Sequence, residues 1–262
     1  IADHRQRLGG RSVGVMHEER PAQPTARGLE RGAVSGETLL VGLAQRLRAV
    51  RDPALASFHA DEFGAEHVTG VAEWRQIRAD APAVLISSSG HFKAFKGDAL
   101  ISRVEQPVGY TPQRIKGDPF ALVGTPVGAG PQVVAFNTTG RAVRLPISLL
   151  ESAADGRLMR LDASDRVIAA FAIEPSAQFL LGGADGTIMP VRATSIPLVN
   201  DLNNPGTSIY PRRDLRSIAR WHGSAKLWIA TNQRVRLHDA PGVPTGKLKL
   251  GKGETLVCLI TR

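Results

Sequence analysis

The residues best suited to chemistry in this sequence are cations placed beside glycines. Gln6-Arg7-Leu8-Gly9-Gly10-Arg11-Ser12 sets Arg7 and Arg11 on either side of a Gly-Gly pair. A glycine pair packs nothing in a sheet, but it lets the backbone approach an anion closely and offer its N–H groups. Flanking guanidinium groups then supply charge-assisted hydrogen bonds to phosphate oxygens. Contacts of this kind position a polyanion without reading a base sequence.

The same chemistry recurs toward the other end. YPRRDLRSIARW (210–221) carries Arg212, Arg213, Arg216 and Arg220, and GKLKLGKG (246–253) carries Lys247, Lys249 and Lys252. The whole chain has 33 Lys and Arg against 24 Asp and Glu, a net charge of +9. Residues 1–51 hold nine basic and five acidic side chains, residues 52–200 hold 13 and 15, and residues 201–262 hold 11 and four. Two basic ends flank a slightly acidic middle. If the ends meet, they form one patch suited to a polyanion such as nucleic acid.

Competing chemistry is poorly supported. GKLKLGKG has Gly253 where a phosphate-binding P-loop needs Ser or Thr, and the following ETLVCLITR reads as a strand rather than a helix. His17-Glu18-Glu19 lacks the second histidine of a zinc helix. Cys258 is the single cysteine, so no internal disulfide forms. IADHRQRLGG carries no apolar secretory core, and no apolar run is long enough to span a bilayer.

The elements that must position these cations come from a repeat. AVLISSSGHFKAFKGDAL (83–100), VVAFNTTGRAVRLPISLL (133–150), FLLGGADGTIMPVRATSI (179–196) and LWIATNQRVRLHDAP (227–241) share one form: apolar strand, tight turn, second strand with a basic residue, then a polar Pro/Gly stretch. Their turns at Gly90, Gly140, Gly186 and Gln233 are 50, 46 and 47 residues apart. One period earlier lies LLVGLAQRLRAVRDPAL (39–55). Its residues 38–51 also fit an amphipathic helix, but the spacing favours strands. FALV (120–123), VIAAF (167–171) and TLVCLI (255–260) add a later strand to several units. A period of 45–50 with several strands per unit predicts an all-β, propeller-like ring of small sheets.

The expected single domain, 1–262, divides into blades 1–35, 36–80, 81–128, 129–175, 176–222 and 223–262, the first lacking its opening hairpin. The hairpin cations Arg46, Arg48, Lys93, Lys96, Arg141, Arg144, Arg192, Arg234 and Arg236 are then expected at equivalent places on successive blades, lining a track for a curved duplex.

These repeats resemble the C-terminal domain of the A subunit of bacterial type IIA topoisomerases, most closely that of DNA gyrase. FNTTGRAVRLPISLL and IATNQRVRLHD match the family's blade pattern. Gln6, Arg7, Gly9, Gly10 and Arg11 match its first-blade box, Gln-Arg-Arg-Gly-Gly-Arg/Lys-Gly; Leu8 and Ser12 depart from it. The resemblance implies a six-bladed β-pinwheel with strands exchanged between blades, which binds and wraps duplex DNA in support of supercoiling. It also implies that the chain is not an enzyme by itself. Tyr110 follows Gly109 and Tyr210 follows Ile209, so neither has the arginine that precedes the family's cleavage tyrosine. No cofactor is expected in this chain, ATP and Mg²⁺ serving other parts of the enzyme. The implied partners are duplex DNA, the remaining A-subunit domains and the ATPase B subunit, with no membrane, in the bacterial cytoplasm at the nucleoid. The alternative is a protein-interaction propeller of the same architecture that has lost wrapping.

Overall fold

The computed structural model describes residues 39–43, 47–50, 68–73, 80, 82–104, 122–124, 131–211, 214–223, 226–238 and 245–261. Along the chain run β1 (Leu39–Leu43), β2 (Leu47–Val50), β3 (Val68–Glu73), β4 (Pro82–Ser87), β5 (His91–Lys96), helix α1 (Gly97–Val104), β6 (Leu122–Gly124), β7 (Gln132–Asn137) and β8 (Arg141–Pro146). Helix α2 (Ile147–Ala153), β9 (Asp155–Arg157), β10 (Val167–Ile173), β11 (Gln178–Gly183) and β12 (Thr187–Arg192) follow. The last strands are β13 (Thr207–Ser208), β14 (Leu215–Trp221), β15 (Leu227–Thr231), β16 (Val235–His238), β17 (Gly246–Lys247) and β18 (Leu256–Thr261).

The repeat becomes a series of small antiparallel sheets, each built on one hairpin. The strand orders are β2-β1-β3, β6-β4-β5-β9, β10-β7-β8-β13, β14-β11-β12-β17 and β16-β15-β18. β1 and β2 pair as antiparallel strands with Leu39 opposite Val50, as the spacing favoured, not as a helix. In three sheets the fourth strand comes from the next repeat: β9 pairs with β5, β13 with β8 and β17 with β12. The strand exchange implied by the resemblance is therefore present. β3 packs on β6, β6 on β10, β10 on β14 and β14 on β18, so these edges adjoin while the exchanged strands stand at the opposite edges.

Both faces of a central blade are apolar because each faces another blade. In β7, Val133 and Ala135 join Val84, Ile86 and Phe92 of the preceding sheet, whereas Val134 and Phe136 join Phe179 and Leu181 of the following one. Strand alternation sends odd and even positions to opposite sides, so a continuous apolar run marks a sheet buried twice. Phe136, Phe171 and Phe179 stack across one junction with centroids 5.1–6.3 Å apart.

The hairpin turns also bind the blades together. Gly90, Gly140 and Gly186 close three-residue connections with φ of +80°, +79° and +81°, a conformation that glycine adopts at no steric cost. Their carbonyls accept N–H groups from Leu158, Ile209 and Leu248, the residues after the exchanged strands. The next residue-level link repeats too: Val167, Leu215 and Leu256 donate their N–H groups to the carbonyls of Ser88, Thr138 and Ala184 in the preceding blade's turn.

Two features depart from the sequence reading. The polar stretches after β5 and β8 are short helices, each anchored by a fully buried leucine, Leu100 and Leu150. The hairpin cations are also not all at equivalent places. Aligning Phe92, Ala142, Ile188 and Val235 by their pairing puts Lys93, Arg141, Arg234 and Arg236 on one sheet face and Lys96, Arg144 and Arg192 on the other.

Candidate functional site

Several described cations lie where the last two sheets meet. Here β17 crosses to the neighbouring sheet and the chain returns through 248–255 to β18. A shallow cleft at this junction is lined by Asp185, Asp214, Lys247, Lys249, Glu254 and Thr255, among others. Lys247 Nζ lies 3.7 Å from Asp185 Oδ2, and Arg216 Nε lies 2.8 Å from Asp214 Oδ1. Lys249 and Lys252 are exposed and form no ion pair among the described residues.

Glu254 organises the adjoining turn. Its buried carboxylate accepts hydrogen bonds from Gly251 N (2.6 Å), Arg234 Nε (2.8 Å), Arg234 Nη2 (2.7 Å) and Thr231 Oγ1 (2.9 Å). Arg236 lies 3.8 Å away. The Gly251 N–H first and the Arg234 guanidinium next hold the Glu254 carboxyl below its ordinary value of 4.5. Asn232 Nδ2 donates to Gly253 O, and Gln233 Nε2 to Lys252 O, so the turn carrying Lys252 is tied to the hairpin turn. The carboxylate of Asp165 holds the turn of the β7–β8 hairpin in the same way, accepting from Asn137 Nδ2, Thr138 Oγ1 and Thr139 Oγ1. Asp165 and Glu254 both stand two residues before the strand that completes their sheet.

The remaining cations have separate fates. Lys96 and Arg192 are exposed on their strands, and Arg220 is half-buried. Lys93, half-buried, lies 5.5 Å from the Phe95 ring centroid. Arg141 donates from Nε and Nη2 to the Gly206 carbonyl at 3.2 and 2.9 Å, holding the segment just before β13. Arg144 is only 9% exposed. Its carbonyl accepts the Val199 N–H, its Nη1 lies 3.5 Å from Gln132 Oε1, and its Nε has no partner among the described residues. Burial pushes its pKa down. The packing of residues 198–199 alongside β8 takes Arg144 out of any surface track.

Arg48 lies in β2. Gln6, Arg7, Gly9, Gly10, Arg11, Arg46, Arg212 and Arg213 fall outside the described residues.

The structure adds Arg157, Arg160 and Arg166, all exposed on the segment 155–166 that returns from its exchanged strand to β10. This segment corresponds to 246–255, which carries Lys247, Lys249 and Lys252. The matching triplets Gly156-Arg157-Leu158 and Gly246-Lys247-Leu248 were the signal that could have revealed them.

No protein-family model matches the chain, and no curated protein matches it. Solved structures do match. The C-terminal domain of DNA gyrase A superposes with a TM-score of 0.65 at 11% identity, over 87% of this chain and 83% of that one. The C-terminal domain of DNA topoisomerase IV gives 0.61 at 10%, over 86% and 79%. The C-terminal domain of E. coli ParC gives 0.52 at 13%, over 83% and 95%. The chain shares the β-pinwheel fold of these domains.

Proposed function

We propose that this chain is a DNA-binding domain of a type IIA topoisomerase, of the gyrase kind, which holds and wraps duplex DNA by phosphate contacts and does no bond chemistry itself. The observation that carries the reading is the group of exposed cations on the segments leaving the exchanged strands. Lys249 and Lys252 stand on one such segment, and Arg160 and Arg166 on another, with Arg157 at the end of β9 just before it. They sit on the fold shared with gyrase and topoisomerase IV C-terminal domains. Lysine and arginine displayed on a rigid sheet edge bind a duplex by releasing its counterions, whatever the base sequence. Smoothly bending 20–30 base pairs by 40–90° costs roughly 1–6 kcal/mol, which many such contacts together offset. Arg7 and Arg11, beside Gly9 and Gly10, complete the set at the first blade. The partners are duplex DNA, the remaining domains of the A subunit and the ATPase B subunit. ATP and Mg²⁺ act in those other parts, and the setting is the bacterial cytoplasm. Among the described residues no helix is long and apolar enough to cross a membrane.

A linking-number assay tests the reading. Nicked circles are sealed with ligase in the presence of the protein, and a shift in linking number is expected. Loss of the shift in Arg7→Ala/Arg11→Ala places the wrap at the box. Absence of duplex binding at low salt overturns the reading and favours a protein-interaction propeller. That second reading draws on the cations already engaged inside the chain: Arg234 by Glu254, Lys247 by Asp185, and Arg144 by burial.

A further inference from the structure

The two buried carboxylates that hold hairpin turns are satisfied by different donors. Asp165 takes a side-chain amide and two hydroxyls, from Asn137, Thr138 and Thr139. Glu254, at the matching place before the strand that completes its sheet, takes the Arg234 guanidinium through Nε and Nη2 and has Arg236 Nη2 3.8 Å away. A carboxylate at this place in the fold therefore needs no cation, and two arginines on one carboxylate exceed its charge. The excess points outward. The Glu254 side chain is fully buried, whereas those of Arg234 and Arg236 are 49% and 40% exposed.

This layering decides what an arriving anion meets. In the Arg216–Asp214 pair both side chains are more than half exposed, so an anion there meets the carboxylate as readily as the guanidinium. Glu254 is enclosed by the Gly251 N–H, the Thr231 hydroxyl and Arg234, and only the guanidinium groups reach solvent. A guanidinium carries five N–H donors. Glu254 occupies two of those of Arg234, and no other acceptor among the described residues holds the rest. Arg234, just before β16, and Arg236 within it are two residues apart, so their side chains leave one face of the sheet. Together with Glu254 they carry one net positive charge, on forks already set in place. A planar fork of this kind matches phosphate oxygens bidentately.

We propose that Arg234 and Arg236 form a binding site for one phosphate group, and that Glu254 is its positioning residue, fixing the Arg234 fork rather than merely cancelling its charge. The source of the phosphate, the backbone of a duplex, rests on the duplex-binding reading. Inorganic phosphate presents the same oxygens and serves as the probe that needs no DNA.

Two measurements on the full chain test this. In the first, the Nε–H resonances of Arg234 and Arg236, assigned by their loss in Arg234→Lys and Arg236→Lys, are followed by NMR while inorganic phosphate is added, with chloride at equal ionic strength as the control. Saturable shifts of both are expected. No shift, or the same shift with chloride, overturns the site. Glu254→Gln is expected to need about tenfold more phosphate for half-saturation. Equal or tighter binding by Glu254→Gln overturns the positioning role, because a carboxylate that only cancels charge weakens anion binding by its presence. If that variant does not fold, Arg234→Lys keeps the test open. It leaves Glu254 a cation and removes the fork, and about tenfold weaker phosphate binding, read on Arg236, is expected. Unchanged binding overturns the proposal. In the second measurement, Arg234→Ala/Arg236→Ala is expected to lower the slope of log K against log salt for duplex DNA by about 0.9, one phosphate. Phosphate shifts with an unchanged slope support the site and overturn the duplex as its source. A chain that ignores duplex can still pass the phosphate titration, and one that binds duplex elsewhere can fail it, so the two readings fall separately.

Discussion

Two buried charges show how differently one residue can be held. The Glu254 carboxylate is fully engaged by backbone, hydroxyl and guanidinium donors, whereas Arg144 is buried with an orphaned Nε and one long contact. Glu254→Gln keeps the shape and loses the charge. Because the folded-state pKa is depressed, Glu254 adds stability above its ordinary 4.5, and that stability is lost as pH falls through the lower folded value. Thermal melts should therefore show the variant less stable than wild type at about pH 6, with the gap narrowing by about pH 3. Arg144→Met is the opposite case. Replacing a poorly compensated buried charge by an apolar side chain of similar length should raise stability by about 1 kcal/mol in denaturant titrations. It should leave duplex binding unchanged, since the guanidinium is not at the surface.

At the scale of the elements, the hairpin turn is the unit that repeats most faithfully. Gly90 combines a φ of +80° with close approach: a Cβ there would lie 2.8 Å from the Met159 carbonyl oxygen. Gly90→Ala therefore meets both backbone strain and a clash, and a loss of about 1–3 kcal/mol is expected by calorimetry. Ala154, which ends α2 at φ 62°, is the reverse case. Ala154→Gly relieves left-handed strain and should stabilise by about 1 kcal/mol. The turns, the period and the doubly buried strands were legible because glycine placement and apolar runs are local signals. The exchanged strands were not: β13 and β17 are two residues long, too short for an apolar run or alternation to mark them as strands. Nor was the burial of Arg144 visible, since the cover comes from Leu198 and Val199, more than fifty residues downstream. The basic segments were found where they were dense, at 246–253. They were missed at 155–166, where Asp155, Asp162 and Asp165 dilute the charge.

For the whole molecule, what matters is how many cations face outward together, and this can be measured without knowing the path of the DNA. Several described basic side chains are paired with carboxylates, so the total of 33 Lys and Arg overstates the number of cations available to a polyanion. Lys249 and Lys252 are exposed without an ion pair among the described residues and sit on a turn fixed by Glu254, Asn232 and Gln233. If both touch phosphates, Lys249→Ala/Lys252→Ala should reduce the slope of log K against log salt by about 1.8, at about 0.9 per phosphate on duplex DNA. Arg157→Ala/Arg160→Ala, on the corresponding segment two sheets away, should lower it by a similar amount. The two effects should add, because the sites share no partner. A track spread over the sheets requires all four contacts to count. A slope that responds to the lysine pair and ignores the arginine pair would confine DNA to the last blade, and a wrap would then lack the support it needs further round.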